Sequence, residues 1–204
     1  MNFLITGRYK VLNDKPFFYL DVGWNNYFKK IKSNYDLYKP KEKKEYVRKF
    51  DCLIISGGGD IYNISKNKHD RYRDKIELNL IKQFLKYDKP IILICRGFQL
   101  IANFFGNDLI KIDKHIKINH KIMINRNMLT KEKTITSNSF HNYGFLKLDN
   151  SFKVIGKTLD KSIEIAKIKK KKILCLMFHP ERFNKDQKKI DNLLIEFLKK
   201  SLCN

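Results

Sequence analysis

Alanine is nearly missing from this 204-residue chain, with two copies at Ala102 and Ala166, and only seven of the 43 basic residues are arginine. The remaining 36 are lysines spread along the whole sequence, and Lys, Ile and Asn together fill 81 positions. This is the bias that A/T-rich codons leave on a solvated surface. A dedicated nucleic-acid face instead concentrates Arg and Lys in one place. The formal charge of +22 therefore reads as a diffuse field, and no nucleic-acid partner is expected. Cysteine is scarce and unpaired in spacing: Cys52, Cys95, Cys175 and Cys203 form no CxxC motif, so neither a zinc ribbon nor a disulfide scaffold is indicated. No apolar run approaches the ~20 residues of a membrane helix, so no membrane partner is expected. The first residues, Met1 to Ile5, lack a charged segment followed by a long apolar stretch, and a reducing cytoplasm is the expected location. Gly57-Gly58-Gly59 is followed by no Gly-Lys-Ser/Thr and lacks dinucleotide-loop spacing, which argues against a nucleotide cradle.

What is present is ample for a core. Hydrophobic residues make up 43% and aromatics 13% of the chain, enough to bury a full interior without metal or disulfide staples. Short apolar runs alternate with longer helical patterns, the mark of βαβ units and a mostly parallel sheet covered on both faces. Strands are expected at 2–6, 52–56 and 91–94, and helices at 21–32, 69–87 and 97–105. Beyond Gly106, residues 111–124 alternate Ile with polar residues and predict antiparallel strands with one wet face. Strands at 153–155, 162–168 and 173–178 precede a closing helix at 186–202. No repeat or linker interrupts the chain, so residues 1–204 read as one α/β domain. Lys169 to Lys172 is the one basic run, and it fits a solvated hairpin turn.

The sharpest chemical feature is Ile94-Cys95-Arg96-Gly97-Phe98-Gln99, where a buried strand meets a helix with almost no turn. Such an elbow forces the side chain at its corner out above the sheet edge, and Gly97 lets the two arms approach closely. The helix N-terminus favours thiolate over thiol at Cys95. A second segment, Phe178-His179-Pro180-Glu181, places an imidazole just after another strand, with a carboxylate two residues on. That spacing can aim one ring nitrogen at a thiol while the carboxylate holds the other. Cys52 and Cys175, on apolar strands, read as small buried hydrophobes.

Five ordered motifs make the chain similar to the class I glutamine amidotransferase-like hydrolases, closest to their γ-glutamyl hydrolase branch (peptidase C26-like, acting on γ-glutamyl-γ-aminobutyrate and related conjugates). They are Leu53-Ile54-Ile55-Ser56-Gly57-Gly58-Gly59-Asp60, Asp70-Arg71-Tyr72-Arg73-Asp74 with Glu77, Cys95-Arg96-Gly97-Phe98-Gln99, Asn138-Ser139-Phe140-His141, and His179-Pro180-Glu181. The resemblance implies a flavodoxin-like three-layer sandwich with a nucleophile elbow and a small antiparallel addition in the second half. It implies Cys95 as nucleophile, His179 as general base and acid, and Glu181 as the orienting carboxylate. Gly59 and Arg96 would offer backbone N–H groups to the oxyanion, with Gly58 as the other candidate in the glycine loop. Gln99 would face the glutamyl part of the substrate, Ser139 and Phe140 would hold its α-amino and α-carboxyl groups through their backbone, and His141 would lie near. No cofactor or metal is implied. Arg73-Asp74 fits either that branch or an exposed helical charge cluster.

Residues and resemblance together point to hydrolysis of a γ-glutamyl amide through a thioester, releasing glutamate from a small conjugate. The positive charge, with Arg96 beside the nucleophile, would suit a phosphorylated or nucleotide-linked amine. Two other readings compete. One is a glutaminase subunit passing ammonia from glutamine to a separate synthase chain; the other is a non-catalytic nucleic-acid-binding protein. A homodimer is compatible with each enzymatic reading.

Overall fold

The computed structural model describes residues 1–13, 15–40, 44–125 and 129–203, and they build one nine-stranded sheet flanked by helices and two small ribbons. In chain order the elements are β1 (Asn2–Ile5), β2 (Arg8–Leu12), β3 (Lys15–Tyr19), α1 (Val22–Lys30), β4 (Asn34–Leu37), a 3-10 turn (Lys44–Lys49) and β5 (Cys52–Ile55). There follow α2 (Tyr62–Ser65), α3 (Lys68–Lys86), β6 (Ile91–Ile94), α4 (Arg96–Phe104), β7 (Ile110–Lys111), β8 (Ile116–Ile124), β9 (Thr134–Phe140) and β10 (Tyr143–Gly144). The chain closes with β11 (Phe152–Lys157), β12 (Ile163–Ile168), β13 (Ile173–Leu176) and α5 (Gln187–Leu202).

The sheet order is β4-β1-β5-β6-β13-β12-β11-β8-β9. Its first five strands are mutually parallel, and the rest continue antiparallel. Numbered by their own sequence, the five parallel strands run 2-1-3-4-5, the flavodoxin-like doubly wound order. The expected α/β class and antiparallel addition are therefore both present, the addition being larger than expected at four strands. Alternating side chains feed two cores, as strand periodicity requires. Phe3, Ile5, Ile54, Ile92 and Ile94 face α1 and α5, where Trp24, Phe28, Leu193 and Phe197 meet them. Leu4, Leu53, Ile55, Ile91 and Leu93 face α3 and α4, against Leu80, Phe84, Phe98 and Ile101. Each fully buried aliphatic side chain contributes ~1.5–3 kcal/mol relative to exposure.

The elements expected from sequence recur within three residues of their boundaries, except that the strands expected over 111–124 are the two-residue β7 and a β8 that starts only at Ile116. Not expected were the β2–β3 ribbon, the edge strand β4, the 3-10 turn, the short α2, β10, and β9, whose Thr134-Ile135-Thr136-Ser137 start lacks an apolar run. Cys52, the first residue of β5, and Cys175, within β13, are fully buried, and burial pushes both thiols up. Among the described residues no helix is long and apolar enough to cross a membrane.

Candidate active site

The strands β6 and β13 run parallel and end side by side, so the residues that follow them meet above one sheet edge. Cys95 follows β6, and its N–H still bonds Leu176 O at 2.7 Å, extending the ladder by one rung. There the backbone turns sharply. Cys95 has φ +48° and ψ −99°, a conformation rare for a residue with a Cβ, and α4 begins at the next residue. Strain of this kind persists where the surroundings over-determine it. Gly97 permits the turn, since a Cβ there would stand 2.8 Å from the Ile55 side chain.

His179, three residues past β13, is 2% exposed, and its Nδ1 lies 2.7 Å from Glu181 Oε1. Asn138 clamps its backbone from both sides: Oδ1 accepts from His179 N at 3.0 Å, and Nδ2 donates to His179 O at 2.8 Å. Asn184 donates to the same carbonyl at 3.0 Å. With Glu181 holding Nδ1, the other nitrogen, Nε2, faces Cys95. The cleft between them admits no extra atom, because a Cβ on Gly57 would lie 2.5 Å from His179 Cε1 and 3.2 Å from Cys95 Cβ. Burial alone would raise the Cys95 thiol, but the hydrogen bond and charge of His179, helped by His141, bring it below its ordinary value. Burial would lower His179, yet the Glu181 charge and the hydrogen bonds to Cys95 and Glu181 raise it to about 9. The two groups stabilise each other as thiolate and imidazolium.

The glycine loop is held from behind. Arg73, 3% exposed on α3, donates to Gly58 O at 2.7 Å and to Ser56 O at 3.0 Å. In a planar trans peptide the C=O and the following N–H point in opposite directions, so the Gly59 N–H faces away from Arg73. Gly58 and Gly59 have φ of +92° and +77°, which a side chain would oppose. Arg73 is itself fixed by Glu77 at 2.8 Å, and the Glu77 carboxylate also takes Arg96. The Arg96 guanidinium is fully buried, bonding Glu77, Asp74 and Asp60 O. The reading of Arg73-Asp74 as an exposed cluster is thus overturned. The same holds for Arg96 as a side-chain partner of an anionic leaving group: that side chain points into a saturated internal network. Its backbone N–H, the first of α4, remains beside Cys95.

A pocket of about 230 Å³ opens here, walled by Gly58, Gly59, Cys95, Gln99, His141 and His179 among others. Of the residues expected from sequence, Ser139 is not brought to the wall: it is fully buried and its hydroxyl donates to His115 O at 2.6 Å. Gln99 reaches the wall while donating to Tyr143 O at 2.8 Å. Phe140 presents its ring edge-on to His179, centroids 6.0 Å apart, and carries the Arg182 guanidinium 4.5 Å above its face. Arg182 also lines the pocket and lies 3.4 Å from Asp21. Sequence reasoning missed Arg182, Asn138's clamp and Tyr143. Arg182 directly follows the His179-Pro180-Glu181 motif, and that adjacency was the available signal.

The Peptidase C26 family model matches residues 36–181. The chain belongs to the Peptidase C26 family. It is accordingly grouped with hydrolases that act on amide bonds, of the class I glutamine amidotransferase-like type. It is 34% identical over 139 residues to the γ-glutamyl-CDP-amidate hydrolase of Campylobacter jejuni, a match covering 68% of this chain and 66% of that protein. It is 23% identical over 151 residues to one of the subunits of the glutamine-hydrolysing GMP synthase of Sulfurisphaera tokodaii, covering 71% and 74%. Among solved structures, a glutamine amidotransferase from Thermotoga maritima superposes with a TM-score of 0.72 at 15% identity, over 100% of this chain and 98% of that one. That likeness establishes the fold.

Proposed function

We propose that this C26 protein hydrolyses a γ-glutamyl amide by covalent catalysis, releasing L-glutamate from a small conjugate. The observation that carries the reading is the Cys95–His179–Glu181 constellation at the elbow, with the thiol lowered and the imidazole raised. The Cys95 thiolate attacks the γ-carbonyl carbon, and the carbonyl π electrons move onto oxygen. The Gly59 and Arg96 N–H groups receive that oxyanion. As it collapses, the C–N bond breaks and His179 gives its proton to the departing nitrogen, leaving a glutamyl thioester. Water then attacks, His179 takes its proton, and the thiolate leaves with glutamate released. Gln99, Phe140 and His141 contact the glutamyl part, with Ser139 supporting that wall from behind. The chain requires no cofactor for these steps. Four free thiols, one of them the nucleophile, suit a reducing cytoplasm.

The amine side of the substrate is anionic in this reading. Arg182 at the pocket wall supplies the positive charge that the buried Arg96 does not, and the Campylobacter relative carries a nucleotide amidate in its name. The GMP synthase relative supports the second reading, a glutaminase that serves a separate synthase. The two part in one assay. The protein alone, offered γ-glutamyl amides of phosphate-bearing amines, simple γ-glutamyl amines and free glutamine, should release glutamate fastest from the first group. Cys95→Ala should lose all but about a thousandth of that rate or less. Preference for free glutamine, appearing only once a synthase is added, would establish the second reading instead.

A further inference from the structure

Beyond the catalytic pocket, four buried side chains from separate segments converge on one point: His115 just before β8, His120 within β8, His141 just after β9, and Glu164 within β12. Each offers a ligand atom, and these atoms all lie within 4.8 Å of one another. We propose that they form a structural site for a divalent cation of the zinc class, a closed His3Glu cage that braces the His141 wall of the pocket.

The spacing carries the argument. His115 Nδ1 to His141 Nε2 is 3.3 Å, His141 Nε2 to Glu164 Oε1 is 3.3 Å, and His115 Nδ1 to Glu164 Oε1 is 3.6 Å. Ligands ~2.0–2.1 Å from a tetrahedral zinc stand about 3.3–3.4 Å apart, so these three atoms already approximate one face of the tetrahedron. His120 supplies the fourth corner, and its Nε2 is buried without a hydrogen-bond partner.

Glu164 is the second indication. It is fully buried, and neither carboxylate oxygen receives a hydrogen bond. A buried carboxylate is expensive unless paired or bound to a metal, and the groups facing this one are imidazoles. The outward ring atoms of His115 and His141 are meanwhile satisfied. His115 Nε2 donates to Asp160 Oδ2 at 2.6 Å, and His141 Nδ1 donates to Tyr143 O at 3.1 Å. A cation bound between them would be met by the inward nitrogen of each of these two rings, the arrangement by which histidines are oriented on a metal. Asp160 is itself held by Thr158 and by Ser162 N at 3.0 Å. Three imidazoles and a carboxylate are a borderline donor set that favours zinc over calcium or magnesium.

The test uses the full-length Cys95→Ser protein, so that the pocket thiol cannot capture the ion. Titrated with Co2+, it should take up one equivalent per chain with the visible bands of a tetrahedral site, be displaced by equimolar Zn2+, and melt at a higher temperature when loaded. Asp160→Asn, a half-exposed outer partner, should weaken binding ~10–100-fold. Glu164→Gln and His120→Gln, scored only if circular dichroism shows them folded, should weaken it further. Less than one equivalent bound at micromolar metal, or binding that neither Asp160→Asn nor a folded ligand variant alters, would overturn the proposal and leave a buried imidazole–carboxylate cluster.

Discussion

At the scale of single residues, the chemistry rests on a shared proton. His179 is charged below about 9 and the Cys95 thiol ionises below its ordinary value, so the thiolate–imidazolium pair occupies the window between. Activity should therefore rise with pH as Cys95 loses its proton and fall as His179 loses its own. Burial works against the imidazolium, and the Glu181 charge is the main influence that overcomes it. Glu181→Gln removes that charge while keeping the shape. The alkaline limb of kcat/KM should then move to lower pH, and kcat should fall more than KM changes. A pH–rate profile checks this, and an unmoved alkaline limb would mean that Glu181 does not set the protonation of His179.

The elements decide which residues reach one another, and the glycine loop illustrates how tightly. Gly57→Ala would place a methyl 2.5 Å from His179 Cε1, so the ring must move off the thiol. Displacing a reacting group by about 1 Å costs on the order of a hundredfold in rate. A drop of that size with an unchanged far-UV spectrum is the expected outcome for this variant. The elbow was legible because a buried run, a cysteine, a glycine and a helical pattern lie within nine residues of sequence. The triad was legible for the same reason: His179 and Glu181 are two residues apart. The Arg73–Glu77–Arg96 network was not, since adjacent charges on a helix read as solvated until the helix is packed. The β2–β3 ribbon was hidden because none of its residues is buried and it includes Pro16, leaving no clear alternation to see. His115, His120, His141 and Glu164 carry no local spacing either; strands β8 and β12 and the segments just before β8 and just after β9 bring them together.

For the molecule as a whole the open question is what the +22 charge does. The expected solvated turn at Lys169 to Lys172 is present between β12 and β13, with Lys169, Lys170 and Lys171 exposed and Lys172 partly buried, 2.7 Å from Asp88. Lys153, Lys167 and Lys200 line the same concavity, so the run is part of a lysine patch. That patch and the active site lie at opposite ends of the sheet. The Ile91 N–H bonds Lys172 O where β6 and β13 begin, whereas Cys95 and His179 follow where they end. Replacing Lys169, Lys170 and Lys171 with Gln should thus leave turnover of a small γ-glutamyl substrate nearly unchanged. A diffuse field raises the local concentration of an anionic substrate modestly. A face making 6 to 10 phosphate contacts would lose roughly a thousandfold or more in affinity between 50 and 200 mM salt. Turnover measured across that range should fall far less steeply. Duplex or single-strand binding at physiological salt that the same triple replacement abolishes would instead make the lysine patch a polyanion-docking surface.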